Sequence, residues 1–142
     1  MKKLGFISLI GILFLTAAFT IKSNIFQNPK DKIVGTWIPD EDGYDYRWVF
    51  KSDGVLEQYS DGNLDQKSKF FVTENPICEK PVTEESGLYY IVIEPIDFPL
   101  ERTDGGKWIF CYELDGVTED RLSLIYVGGA SYSPTTFKRL KL

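Results

Sequence analysis

The sequence predicts an all-β fold, eight antiparallel strands running up and down around a closed barrel. Three observations predict it. From residue 32 onward, short apolar runs alternate with turn signals about every 8 to 14 residues, the spacing of a sandwich or barrel. Aromatic residues make up 15% of the chain and fall in those short alternating runs, which suits strands. Most runs follow one another through tight turns. An open sheet of that size would leave unpaired edges, and closure removes them. The 142 residues suit one domain, and a hydrophobic content of 43% supplies its core.

Residues 1–21 read as a signal peptide or an N-terminal membrane anchor. Lys2 and Lys3 open the chain, an uncharged apolar run extends from Leu4 to Ile21, and Thr16, Ala17 and Ala18 supply a small-residue cleavage site. The run is also just long enough for a spanning helix, so the anchor is the alternative. No cysteine directly follows it, which argues against a lipid-anchored lipoprotein. A short lysine-led leader of this kind resembles bacterial ones. The polar residues 22–31 read as a linker and residues 32–142 as the barrel domain. The expected location is therefore the periplasm or the extracellular space, with residues 4–21 holding the protein to the membrane if they are retained.

"KIVGTWIP" is the first expected strand, stopped by Pro39. "YRWVF" is the second, with Tyr46, Trp48 and Phe50 on one face and Arg47 and Val49 on the other. "KSDG" is a hairpin turn, because Asp-Gly suits positive backbone angles. "VLEQYS" and "LDQKSKFFV" are the third and fourth strands. Residues 73–86 hold two prolines and read as an irregular loop carrying Cys78. "GLYYIVIE", the fifth strand, is apolar on both faces and so the most enclosed. "KWIFCYEL" is the sixth, with Trp108, Phe110 and Tyr112 on one face. "RLSLIYV" and "TTFKRLKL" complete the set.

Charge and composition exclude several functions. The formal charge is −5, and loss of Lys2 and Lys3 with the leader takes it to about −7. Such a surface repels nucleic-acid phosphates and anionic lipid. No nucleic-acid partner is expected, and membrane contact only through an uncleaved N-terminal segment. The chain has no histidine, which rules out Ser-His-Asp and Cys-His catalysis and removes the commonest metal ligand. No cofactor and no metal are expected. Asp40, Glu41, Asp42 and Asp45 do not match the spacing of a twelve-residue calcium loop and read as a solvated turn. Glu84, Glu85, Glu94 and Glu101 offer carboxylates for glycoside hydrolysis, yet nothing fixes two of them at a working distance. Cys78 and Cys111 form an even pair behind an export signal and read as one disulfide, with two buried free thiols as the alternative.

Gly35-Thr36-Trp37, then "YRWVFKSDG", then a terminal "FKR" resemble the lipocalin-like domains of small secreted bacterial proteins. The resemblance covers roughly residues 32 to 140. It implies that Trp37 plugs the closed end of the barrel, that Arg139 lies across its ring, and that Gly35 admits a close approach. Cys78 and Cys111 fit the same pattern. The helix that lipocalins carry before their last strand is absent from this sequence.

An eight-stranded barrel holds either packed side chains or one small ligand. The stripe Tyr46, Trp48, Phe50, Tyr59, Tyr90, Trp108, Phe110, Tyr112 and Tyr126 suits an ordinary core or the wall of a pocket. The expected role is non-enzymatic binding of a small apolar or amphipathic molecule by Tyr46, Trp48, Phe50, Trp108, Phe110 and Tyr112. A filled barrel working through its surface, as an interaction or inhibitor module, is the alternative, and a carboxylate-based hydrolase ranks last. The protein is expected to be a monomer.

Overall fold

A computed structural model describes residues 28–41, 43, 45–82, 87–98, 102–129 and 133–141. The leader and residues 22–27 of the expected linker lie outside the described residues, as do Asp42, Glu84, Glu85 and Glu101. One short helix, α1 (Pro29–Ile33), precedes eight strands: β1 (Gly35–Pro39), β2 (Tyr46–Phe50), β3 (Val55–Ser60), β4 (Asn63–Thr73), β5 (Tyr90–Pro95), β6 (Phe110–Val117), β7 (Arg121–Tyr126) and β8 (Thr135–Arg139). Each strand pairs antiparallel with the next, and β8 returns to β1, which closes an up-and-down barrel. The closing register sets Trp37 opposite Arg139 and Pro39 opposite Phe137.

The strands β2 and β3 coincide with the runs read from the sequence. The fifth and sixth start three residues later than expected, at Tyr90 and Phe110, and the eighth ends at Arg139. The last residues of the expected linker, 29–31, already belong to α1. Asn28 caps this helix by accepting from Lys30 N at 3.0 Å, and proline fits its first turn because the N–H it lacks would have no helical partner.

This helix seals the end of the barrel where β1 begins. Ile33 and Trp37 are both fully buried there, and Trp37 Nε1 donates to Ile33 O at 2.7 Å. The Arg139 guanidinium sits 4.2 Å from the Trp37 ring centre. Its three nitrogens donate to Lys32 O, Val34 O and Glu119 O, joining α1, β1, the β6–β7 turn and β8. Gly35 has φ +141°, and a Cβ added there would fall on Arg139 Nη1. Glycine is therefore required by conformation and by space. Above this plug, Trp48, Phe50, Leu56, Phe70, Ile91, Ile93, Leu122, Leu124 and Phe137 fill the lower and middle barrel.

Cys78 and Cys111 are joined, with their Cα atoms 6.0 Å apart. The bond straps the β4–β5 connection along the outer wall, over the outward faces of Tyr90 and Val92. That cover explains why β5 is buried on both faces.

Three changes in stability are expected from this arrangement. In denaturant melts, Trp37→Ala is expected to lower the unfolding free energy by about 3–5 kcal/mol. Gly35→Ala is expected to cost about 1–3 kcal/mol through its positive φ and more through the clash of its Cβ with Arg139 Nη1; in an Arg139→Ala background the clash is gone, so the same change should cost less there. Replacing Cys78 and Cys111 together by serine is expected to remove about 3–4 kcal/mol through the reopened loop. A double-serine protein that melts like the parent would contradict a stabilising strap.

Candidate functional site

The plug occupies one end of the barrel, and the opposite end is open. Strand direction places the start of β2, the end of β3, the start of β4, the end of β5 and the start of β6 around that mouth. Inward positions on these strands follow the two-residue period, so their chemistry can be read off. On β2 and β6 they are Tyr46, Phe110 and Tyr112. On β3 and β4 they are Gln58, Gln66 and Ser68. Together with Ile93, Pro95 and Phe98 from the β5 side, they enclose a cup of about 570 Å³, open to solvent on top. That volume lies within the range of small-molecule sites.

The cup has an aromatic wall and a polar wall. Tyr46 and Tyr112 stand over Trp48 in edge contacts at 6.5 and 5.6 Å. On the polar side, Gln58 Nε2 donates to the Tyr46 hydroxyl at 3.0 Å, and that hydroxyl keeps its own proton to donate. Ser68 is fully buried, and its Oγ has no hydrogen-bond partner among the described residues. Trp48 Nε1, below the aromatic wall, is unpartnered as well. Leaving a buried hydroxyl unpaired costs about 1–3 kcal/mol. Its presence here is therefore not explained by stability.

A bulge shapes the rim. The β3–β4 pairing steps from Gln58↔Gln66 to Tyr59↔Leu64 and skips Asp65, which joins Gln66 in lining the cup. Asp97, on the loop after β5, lines it too. Both aspartates are exposed.

The six binding candidates read from the sequence separate by depth and by loop. Tyr46, Phe110 and Tyr112 line the cup. Trp48 is 5% exposed and lies beneath them. Phe50 is deeper in the packed core, edge-on to Phe70 at 5.0 Å. Trp108 precedes β6 and stacks parallel to Phe110 at 6.4 Å, in a neighbouring depression of about 280 Å³. Phe98 and Pro95 belong to both hollows and form the partition.

Tyr59, Tyr90 and Tyr126, the other members of the aromatic stripe, do not line the cup. Tyr59 points outward, where it donates to Glu57 at 3.0 Å and stacks under Arg47 at 4.4 Å. Glu57 is itself nearly buried on that outer wall, and Lys51 at 2.6 Å, by its hydrogen bond, holds the carboxyl below the usual range. Tyr90 faces the strapped loop. Tyr126 stands 5.3 Å from Tyr112. Of the acids weighed in the sequence, Asp40 pairs with Arg121 at 3.1 Å, away from the cup, and Glu94 pairs in register with Lys69.

Sequence reasoning missed Gln58, Gln66, Ser68, Asp65 and Asp97. Burial of Phe70 shows that Gln66 and Ser68, on the same face of β4, point inward, whereas in the sequence the adjacent Phe71 leaves that face undecided. The bulge at Asp65 carried no signal in the sequence. Among the described residues, no three His, Cys, Asp or Glu side chains gather as metal ligands. Comparison with protein families, curated proteins and solved structures finds no match to this chain.

Burial raises the Tyr112 phenol to about 12, with Tyr126 and Tyr46 adding to the shift. An unfolded tyrosine titrates near 10. The phenol therefore remains a donor in the cup at any physiological pH. Its contribution to stability is complete below about pH 10 and is lost as pH rises towards 12. The alkaline limb of a stability–pH curve should accordingly be shallower for Tyr112→Phe than for the parent, and the late phase of the phenolate absorbance titration should shrink, leaving Tyr59 and Tyr89, which their hydrogen bonds to Glu57 and Glu74 also raise.

Proposed function

We propose that this protein is a non-enzymatic, lipocalin-like carrier or sensor that holds one small amphipathic molecule in the open end of its barrel. The observation that carries the reading is Ser68, a fully buried hydroxyl with no partner at the wall of a half-aromatic cup. A bound molecule would lay an apolar face against Tyr46, Tyr112 and Phe110 and offer a polar group to Ser68 and Gln58. The protein is proposed to act as an exported bacterial monomer, in the periplasm or outside the cell. The Cys78–Cys111 bond supports an oxidising compartment, and the lysine-led leader supports export.

A carboxylate-based hydrolase draws some support from Asp65 and Asp97 at the same rim. That chemistry requires one carboxyl kept protonated by an apolar site. Both aspartates are exposed, which weighs against it. A barrel acting only through its outer surface has less support while the mouth is open.

Native mass spectrometry of protein purified from its own host, followed by tryptophan-fluorescence titration with a panel of amphiphiles, tests the proposal. A 1:1 adduct is expected, along with a fluorescence response from Trp48 beneath the cup. Ser68→Ala removes an unpaired hydroxyl, so the fold should be unchanged or slightly more stable. Binding should nonetheless weaken about fivefold for one lost hydrogen bond of about 1 kcal/mol. An empty protein with no response to any amphiphile would refute the carrier reading.

A further inference from the structure

We infer that the cup selects ligands by charge, accepting a cationic or hydrogen-bond-donating head group at its rim and rejecting anionic amphiphiles such as fatty acids. The inference rests on the reading of the cup as a ligand site. It adds a ligand class, and it stands on the residues that surround the mouth. The two charged side chains that line the cup among the described residues, Asp65 and Asp97, are both carboxylates, and no lysine or arginine lines it. They come from different elements, Asp65 from the β4 bulge and Asp97 from the β5–β6 connection. Any head group emerging between the aromatic and polar walls thus meets negative charge from two directions.

Three cations of the neighbouring elements are engaged elsewhere, and Lys107 lines the adjoining hollow rather than the cup. Lys67, beside the bulge, turns to the outer wall and lies 3.5 Å from Glu57. Arg102 pairs with Asp104 and Glu79 and lies over Trp108, on the far side of the partition. Lys80 donates to Gly128 O at 3.0 Å. The net charge of −5 reinforces the same sign at longer range. Deeper in the cup, Ser68 Oγ supplies the fixed polar contact that makes the site more than an acidic rim. A fully buried hydroxyl favours a neutral group at the inner end, since burying a charge there would require a counter-ion. The class of ligand is therefore a molecule with a neutral polar inner group, a flat apolar body and a basic outer group.

The test uses three naphthalene amphiphiles of matched size that end in trimethylammonium, hydroxyl or carboxylate. Each is titrated into the full protein with tryptophan fluorescence as the readout, at low and at high salt. Near-surface charges a few ångströms apart interact weakly, but two carboxylates acting on opposite signs of ligand should separate cation from anion by about tenfold at low salt. High salt should compress that ratio. In the Asp65→Asn/Asp97→Asn double variant, both changes being at exposed positions, the three probes should bind within about twofold of one another, with the melting temperature unchanged. If the carboxylate probe binds as well as or better than the ammonium probe, charge selection is refuted and the carrier reading stands. If the cation preference survives intact in the double variant, the assignment to these two aspartates is wrong. If no probe binds, both the inference and the carrier reading fail.

Discussion

The stacking of Arg139 on Trp37 is the interaction on which the rest of the barrel depends. The two residues face each other across the β1–β8 seam, the pairing that turns eight strands in a row into a closed ring. Directly opposed residues on neighbouring strands point to the same side, so placing them in that register puts both inside. Arg139 is half-buried, and a guanidinium on an indole in such a position contributes about 1 kcal/mol. Its hydrogen bonds to three backbone carbonyls add more, and those carbonyls belong to the α1–β1 junction and the β6–β7 turn. Gly35 is the third member of this unit because the guanidinium occupies the space its side chain would need. Gly-x-Trp and a late arginine are one steric arrangement written at two ends of the chain.

Filling one end in this way sets the character of the other. From Trp37 upward the interior is packed with large apolar side chains, and the packing stops where inward positions change to Gln58, Gln66 and Ser68. A barrel built for stability alone would continue with leucine or valine at those three places, since each apolar side chain buried contributes about 1.5–3 kcal/mol. The polar residues instead leave room and leave a hydroxyl unpaired. The packed plug and the proposed site therefore occupy opposite ends of the same cylinder, and a change at the mouth need not weaken the plug.

Much of the fold was legible because the sequence alternates cleanly where one face is wet. Tyr46, Trp48 and Phe50 alternate with Arg47 and Val49, and the Asp-Gly turn after them fixes the next register, so β2 and β3 were found to the residue. The plug was legible from the Gly35, Trp37 and Arg139 pattern. The cup was only half legible. Tyr46, Phe110 and Tyr112 announce themselves as aromatics on inward faces. Ser68 and Gln66 do not, because Phe70 and Phe71 are adjacent and hide which face of β4 is dry; Phe70 is buried and Phe71 is half exposed. Trp108 was assigned to the sixth strand because it lies two residues before Phe110, yet the strand begins only at Phe110, and the indole packs with Phe98 on the preceding loop. Tyr90 belongs to a stripe that suits either a core or a pocket wall, and the structure buries it. Its burial comes from the strapped loop outside the wall.

That loop also bears on the mouth. It leaves β4 at the plugged end and climbs the outer face of the barrel, where Cys78 is bonded to Cys111 of β6. Beyond that bond, Glu79 pairs with Arg102 and Lys80 donates to Gly128, so one short segment holds the β5–β6 loop and the β7–β8 loop together. Arg102 in turn lies 5.2 Å from the Trp108 ring centre, and Trp108 packs against Phe98 and Phe110, two residues of the cup wall. A covalent bond on the outside of the barrel is thus connected, through an ion pair, a cation–π contact and an aromatic stack, to the surface a ligand would touch. Loops that carry binding residues ordinarily lose entropy when a ligand orders them. Among the described residues, Phe98, Trp108 and Phe110 are already packed together and tied to the strap through Arg102, so the proposed site would need little ordering of this wall.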